Sequence, residues 1–370
     1  MSDLQASNMQ AKVTSAPTPT EPVANPMGTD GFEFVEYSAP NAEGIQKLRD
    51  LFQLLGFTHV ANHRSKKVSL YRQGDINFVI NAETEGYFNE FSKLHGPCAC
   101  AMAWRVADAK KAFEHAVANG AKAFDKPEHK AHPAVYGIGG SVLYFIDTWG
   151  KEASIYDEEF EFIDGVDEYP VGMGLQTLDH LTHNVKRGGM DVWASFYENI
   201  ANFREIRYFD IKGKQTALFS KAMTGPCNKL RIPINESADE KSQIEEYLKE
   251  YKGEGIQHIA LSTPDIYDTI ERLRAGGMDF MPTPGAYYDM IPRRIPKHNE
   301  DVAKLRENQI LIDGSLDHEE GILLQIFTNT VIGPIFFEII QRKGNQGFGE
   351  GNFKALFESI EQDQIDRGVI

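Results

Sequence analysis

One spacing constrains this chain more than any other. Asp108 opens a helix-like run, Ala109–Asn119, that stops at Gly120, and the arrangement returns 157 residues later as Asp265, Ile266–Ala275 and Gly277. Each run follows a strand-like segment, 99–107 and Ile256–Leu261, and Ala103 and Ala260 fall at the same offset. Two more units read the same way. Phe32–Tyr37 alternates as a strand and leads into Ala42–Phe57, a helix with Ile45, Leu48, Leu51, Phe52 and Leu55 on one face. Leu178–Val185 leads into the helix Val192–Asn202. Short strand-like runs follow the first helix at Thr58–His63, Val68–Arg72 and Ile76–Asn81, and Ser141–Asp147 closes the second unit. Four β-α-β-β-β copies in two pairs are what two successive duplications produce. Three strands per helix argue against a doubly wound parallel sheet. The expected fold is α+β, with paired modules forming two half-open, mostly antiparallel barrels.

The length of 370 residues suits two such domains. Residues 164–177, rich in Gly, Asp and Pro, are the expected boundary, with an N-terminal domain over 29–165 and a C-terminal domain over 172–370. Residues 1–28 are dominated by Ala, Ser, Thr and Pro and develop no apolar period, so a disordered tail is expected. The net charge of −16, with no basic block, argues against nucleic acid or an anionic membrane as partner. Three cysteines, Cys98, Cys100 and Cys227, do not make a disulfide framework and suit a reducing compartment. No apolar run approaches the ~18 residues of a membrane span. A cytoplasmic protein is expected.

Duplication lets one half of the chain be read against the other. His258 corresponds to Ala101 at the offset of 157. Matching Ile340–Gly344 to Ile146–Gly150, an offset of 194, sets Glu338 against Tyr144. Matching Phe203 to Phe57 places His180 near Phe34. The C-terminal half therefore carries His, His and Glu on strands where the N-terminal half carries apolar or non-coordinating groups. One working site and one degenerate partner follow. His183 is three residues from His180 and so points to the opposite face of its strand; His180 is the chosen ligand. Glu338 stands in Ile335-Phe-Phe-Glu-Ile-Ile340, where an unpaired carboxylate costs several kcal/mol. A metal ion relieves that cost, and a buried arginine is the ordinary alternative. Two imidazoles and a carboxylate with open positions form the facial triad of non-haem Fe(II) oxygenases, and zinc accepts the same ligands.

The surroundings suit an aromatic acid. Leu323, Gln325 and Phe327 share one strand face, and Phe336, Glu338 and Ile340 share another. Gly347–Phe353 is glycine-rich without matching a phosphate-binding fingerprint. Lys354 to about Asp366 reads as a terminal helix that, led by Phe348, Asn352 and Phe353, either caps the barrel mouth or only closes the fold.

The strings Asp179-His-Leu-Thr-His-Asn184, Gly255-Ile-Gln-His258, Arg231-Ile-Pro-Ile-Asn-Glu236, Leu324-Gln-Ile-Phe327, Phe337-Glu-Ile-Ile-Gln-Arg342 and Gly347-Phe-Gly-Glu-Gly-Asn-Phe353 resemble the 4-hydroxyphenylpyruvate dioxygenases, the bacterial branch most closely. The resemblance runs from about Asn25 to the C-terminus. It implies the vicinal oxygen chelate fold and one Fe(II) per subunit on His180, His258 and Glu338. It also implies conversion of 4-hydroxyphenylpyruvate and O2 to homogentisate and CO2 in tyrosine and phenylalanine degradation. The substrate pocket it implies falls on Ser220, Pro233, Asn235, Gln243, Gln257, Gln325, Phe327, Phe336, Phe348, Asn352 and Phe353. Phe336 and Phe353 would clamp the ring, Gln243, Ser220 and Asn235 would hold the phenol end, and Gln325 would lie nearer the iron; Gln325 and Gln243 carry the expected catalytic roles. Gln257 adjoins His258, so strict alternation turns it away from the metal unless a bulge intervenes. The family implies a homo-oligomer, a tetramer or dimer.

Four other readings use the same residues. A 4-hydroxymandelate synthase shares fold, metal and substrate and differs in how the ring is tilted. An extradiol catechol dioxygenase needs an acid–base histidine by the metal, for which His183 is the one nearby candidate. A glyoxalase-type enzyme needs ligands from the N-terminal half. A metal-free binder of the same fold needs none of His180, His258 and Glu338.

Overall fold

The computed structural model describes residues 12–15, 23–126, 131–150, 152–212, 217–316, 321–349, 351–352 and 367–368. In chain order the strands and helices are β1 (Lys12–Ser15), β2 (Phe32–Ser38), α1 (Ala42–Leu54), β3 (Thr58–His63), β4 (Val68–Gln73), β5 (Ile76–Asn81), α2 (Tyr87–His95), β6 (Cys98–Arg105), α3 (Ala109–Ala118), β7 (Ala134–Tyr136), β8 (Val142–Ile146), α4 (Ile155–Glu159) and β9 (Phe160–Phe162). The second half continues with β10 (Thr177–Val185), α5 (Met190–Ala201), β11 (Arg204–Lys212), β12 (Ala217–Thr224), β13 (Arg231–Ser237), α6 (Gln243–Tyr251), β14 (Gly255–Ser262), α7 (Ile266–Ala275), α8 (Gly285–Arg294), α9 (Val302–Asn308), β15 (Leu311–Ser315), β16 (Gly321–Phe327) and β17 (Phe336–Lys343).

Local chemistry explains the helices that flank the sheets. The Asn41 side chain accepts from Gly44 N–H at the start of α1, whose Ile45, Leu48, Leu51 and Phe52 are buried. Asp108 and Asp265, the residues 157 apart, are both N-caps: Asp108 accepts from Lys111 N–H and Asp265 from Tyr267 and Asp268 N–H. The helices they start both give way to a glycine with positive φ, +99° at Gly120 and +98° at Gly277, a conformation that disfavours any residue with a Cβ.

Among the described residues the strands form two sheets, ordered β9-β3-β4-β5-β2-β6-β8-β7 and β1-β11-β12-β13-β10-β14-β17-β16-β15. Most neighbours are antiparallel; β2–β5, β6–β8, β10–β13 and β14–β17 are parallel. The two orders correspond strand for strand, with β15 added at one edge. The ladders correspond residue for residue at the centre. Ala101 pairs with Val142 and Ala103 with Tyr144 in one sheet, and His258 pairs with Phe336 and Ala260 with Glu338 in the other. Phe34 lies opposite Ala103 and Glu36 opposite Ala101, as His180 lies opposite Ala260 and Thr182 opposite His258. The register shifts match as well, after Phe32 and Glu36 in β2 and after Leu178 and Thr182 in β10.

The two halves share a core. Trp104 of β6 is fully buried and stacks on Phe203 at 5.3 Å, and Phe78 of β5 meets Phe337 of β17 at 5.9 Å. No helix or strand lies between Phe162 and Thr177.

The tail expectation for residues 1–28 needs correction where the chain is described. Lys12–Ser15 pairs antiparallel with β11, taking the edge place that β9 takes beside β3 in the other sheet. Met27 is buried, and the Asn25 side chain ties the turn to Thr29. Four residues are too few to show a period, and an edge strand offers unpaired backbone groups to any segment that reaches it. The expected terminal helix from Lys354 lies outside the described residues.

Candidate metal centre and active site

Three adjacent strands of the second sheet, β10, β14 and β17, bring His180, His258 and Glu338 together. Each side chain is at least 95% buried, and one ligand atom from each lies within 4.8 Å of the others. Oε2 of Glu338 stands 3.1 Å from Nε2 of His180 and 3.4 Å from Nε2 of His258.

The residue before each histidine orients it. Asp179 Oδ1 is 2.9 Å from Nδ1 of His180, and Gln257 Oε1 is 3.0 Å from Nδ1 of His258. An oxygen at Nδ1 holds the proton there and leaves the Nε2 lone pair free, as a metal ligand requires. Gln257 therefore acts through His258 from behind, consistent with the alternation of β14. Asp179 is itself gripped by Arg342, at 2.7 and 2.8 Å, with Arg231 at 3.5 Å. Burial alone would raise the Asp179 carboxyl; the Arg342 guanidinium outweighs it and holds the group well below the usual range.

Glu338 is likewise pushed up by burial, but His180 and His258 outweigh that and bring it to about 2. Its Oε1 accepts from Gln325 Nε2 at 2.7 Å, which leaves Oε2 to the imidazoles. The Thr182 hydroxyl, 2.9 Å from His258 Nε2, covers a lone pair that a metal would take. Two Nε2 atoms turned toward one carboxylate oxygen, within buried walls, suit a divalent metal ion. Replacing it by an arginine, the ordinary partner of a buried carboxylate, is not what the structure does: Arg342 serves Asp179 instead.

A cleft of about 370 Å³ opens from this centre. Ser220, Pro233, Gln325, Phe327 and Phe348 line it, as do Thr182 and Phe209, which sequence reasoning missed. Thr182 could have been found, since it lies two residues from His180 on the same strand face. Phe348 sets its ring edge-on to His180 at 5.4 Å. Phe336 stacks on His258 at 4.8 Å instead of lining the cleft. Asn352 is fully buried and donates to Gln325 Oε1 at 2.9 Å, while the Tyr287 hydroxyl lies 2.7 Å from its own Oδ1. Ser220 and Asn235 are cross-strand partners, and Ser220 Oγ and Asn235 Oδ1 are buried without a hydrogen-bond partner among the described residues. Gln243 begins α6, is half-buried and is not among the residues lining the cleft. Phe353 lies outside the described residues.

His183 faces the other way. Its Nε2 meets the Tyr197 hydroxyl at 2.7 Å within the core, and burial lowers its pKa to about 3. It remains a neutral core imidazole, so the acid–base histidine that a catechol dioxygenase needs is not supplied from β10.

Residues 23–161 match the N-terminal domain of hydroxyphenylpyruvate dioxygenases, and residues 177–290 match the glyoxalase, bleomycin resistance protein and dioxygenase superfamily. A 4-hydroxyphenylpyruvate dioxygenase of Pseudomonas aeruginosa is 61% identical over 349 residues, 94% of this chain and 97% of the relative. The chain belongs to the 4-hydroxyphenylpyruvate dioxygenase family. It is an enzyme of the oxidoreductase class with the vicinal oxygen chelate fold. Hemolysin VllY of Vibrio vulnificus is 63% identical, covering 94% of this chain and 98% of that protein. Among solved structures, a xylose isomerase-like TIM barrel/4-hydroxyphenylpyruvate dioxygenase fusion protein superposes with a TM-score of 0.78 at 31% identity, over 92% of this chain and 54% of its own. A mutant 4-hydroxymandelate synthase from Streptomyces coelicolor gives 0.79 at 24% identity, over 91% of this chain and all of its own, which is a likeness of fold. Among the described residues no helix is long and apolar enough to cross a membrane.

Proposed function

We propose that this chain holds one Fe(II) per subunit on His180, His258 and Glu338 and converts 4-hydroxyphenylpyruvate and O2 to homogentisate and CO2. One oxygen atom enters the ring, the other enters the new carboxylate, and the side chain moves to the neighbouring ring carbon. Bound Fe(II) supplies the redox chemistry with dioxygen. The protein supplies orientation and a dry cleft.

One observation carries the substrate assignment. His180, His258 and Glu338 line the same cleft as Phe209, Phe327, Phe348 and Ser220, whose oxygen is orphaned, with that of Asn235 on the neighbouring strand. A buried polar atom without a partner costs about 1–3 kcal/mol. A phenol hydroxyl there relieves that cost, while the 2-oxo acid end faces the metal. Phe327 and Phe348 provide the ring contacts, Gln325 positions Glu338, and Asn352 positions Gln325. In the loaded pocket Phe336 and Phe353 are assigned to clamp the ring, and Gln243 to help hold the phenol end.

The second half, 172–370, is then the catalytic domain, and the first, 29–165, is its degenerate repeat. A cytoplasmic homo-oligomer, tetramer or dimer, acting in tyrosine and phenylalanine degradation completes the proposal; light scattering after gel filtration reads the oligomeric state. The deciding experiment is anaerobic reconstitution with Fe(II), followed by 4-hydroxyphenylpyruvate and oxygen. Homogentisate with equimolar CO2 is expected. Hydroxymandelate would overturn the pocket assignment, and no oxygen uptake with iron bound would overturn the dioxygenase reading for this substrate.

A further inference from the structure

The degenerate half also holds a cleft, of about 550 Å³, at the place equivalent to the metal centre. The ladder register makes the equivalence specific. Phe34 stands for His180, Ala101 for His258 and Tyr144 for Glu338. None of the three coordinates a metal. Glu36 stands where the other sheet has Thr182, and it lines the cleft. Glu36 is 6% exposed. Among the described residues its one hydrogen-bond donor is the Asn81 amide, at 2.8 Å. Burial raises its pKa to about 7, with Asn81 and Lys66 pulling the other way. The carboxyl at the rim, Glu159, is differently placed, with His132 at 3.0 Å and His63 at 3.7 Å. Glu36 is a buried acid whose one side-chain hydrogen bond comes from a neutral amide, and it lines the cleft together with Lys66 and the rings of Phe34, Tyr144 and Phe160. Phe34 and Tyr144 stand 5.7 Å apart on that wall, beside Phe160.

We propose that this cleft is a second ligand site, and that it takes a small arylalkylamine in its ammonium form. The ammonium pairs with Glu36 and the ring packs against Phe34, Tyr144 and Phe160. A charged donor is the group that a buried carboxylate with one amide partner lacks. Ligand pockets with apolar walls and a few polar groups are the usual kind. An anionic 2-oxo acid would meet Glu36 and be rejected, so the cleft is not a second copy of the metal-bearing one.

The test uses the full chain at about pH 8, above the Glu36 value, so that the carboxyl is ionised. Titration calorimetry with 4-bromobenzylamine is expected to show one equivalent of binding. A crystal soaked in the same amine is expected to show bromine anomalous density in the cleft, beside Phe34, Tyr144 and Phe160. Glu36→Gln should weaken binding about tenfold or more while leaving turnover near that of the parent and the melting temperature equal or higher. The neutral isostere 4-bromobenzyl alcohol should bind at least about tenfold more weakly than the amine. Bromine only in the metal-side cleft, equal affinity for alcohol and amine, or density in the soak with no heat in solution would each overturn the proposal. The soak of the parent protein decides the site even if the variant fails to fold.

Discussion

Asp179 lies directly before His180 and reaches its Nδ1 at 2.9 Å, while both oxygens of the same carboxylate are bound by Arg342. The ligand is thus held by an anion that is itself held by a cation. His258 has only the neutral amide of Gln257 in that role. Asp179→Asn is expected to lower metal affinity about 10- to 100-fold, the usual cost of losing such a partner. Competition against a chelator measures it without reference to turnover. Gln257→Ala should cost less, because a neutral acceptor polarises the ring less.

His258→Ala separates an enzyme from a binder. Metal is expected to fall below about a tenth of an equivalent, because two ligands cannot hold what three hold. Turnover should fall with it, while the fluorescence signature of the folded apoprotein persists. Elemental analysis of the dialysed protein reads the first and product chromatography the second. Full metal retention would sink the assignment of the centre.

Ser220→Ala should move stability and affinity in opposite directions. Removing an orphaned buried hydroxyl leaves the free protein equally or more stable. The same change should raise KM about tenfold, since one hydrogen bond to the phenol is lost. Thermal melting of the apoprotein and steady-state kinetics on the loaded enzyme give the two signs.

Gly349 sits at φ +72°, and a Cβ there would collide with Oε1 of Gln325. Gly349→Ala should therefore reproduce the kinetic defect of Gln325→Leu, because both take the amide away from Glu338 and Asn352. About 1–3 kcal/mol of stability should also be lost to the backbone strain. Denaturant titration beside kcat for both variants checks this, and a Gly349→Ala enzyme with parental kcat would refute the link.

Glu36 gives the chain a pH signature. Its carboxyl, pushed up by burial from an ordinary 4.5 to about 7, keeps its proton in the folded state over a range where the unfolded chain has lost it. Stability therefore declines as pH rises from about 4.5 to about 7, by up to roughly 3 kcal/mol from this group. Asn81, Lys66, His63, His132 and Glu159 surround it. Glu36→Gln lacks that carboxyl, so its advantage over the parent should grow across the same window and level off above it. Paired denaturant titrations at several pH values measure the difference.

Much of the central architecture was legible because it is periodic. The offsets of 157 and 194 residues coincide with the ladder registers that set Ala101 against Val142 and His258 against Phe336. The loose match of His180 to Phe34 coincides with the register too. Alternation correctly separated His183 from His180. What escaped notice depends on distance along the chain. The pairing of β1 with β11 joins segments almost two hundred residues apart, and no local pattern announces it. Arg342 and Asp179 meet across 163 residues for the same reason. The short helices α2 and α6 were overlooked because their buried faces span little more than two turns. Gln243 was expected to touch substrate, yet its place as the first residue of α6 leaves it off the cleft wall.

The stacking of Trp104 on Phe203 and the meeting of Phe78 with Phe337 have a consequence for inheritance. Phe337 precedes Glu338, so the strand that carries this candidate ligand rests on a ring supplied by the first half. Cutting that half away would strand apolar surface beneath the chemistry. On the proposed function, the half without ligands serves as a foundation, and damage deep within it should register as metal lost from the other half.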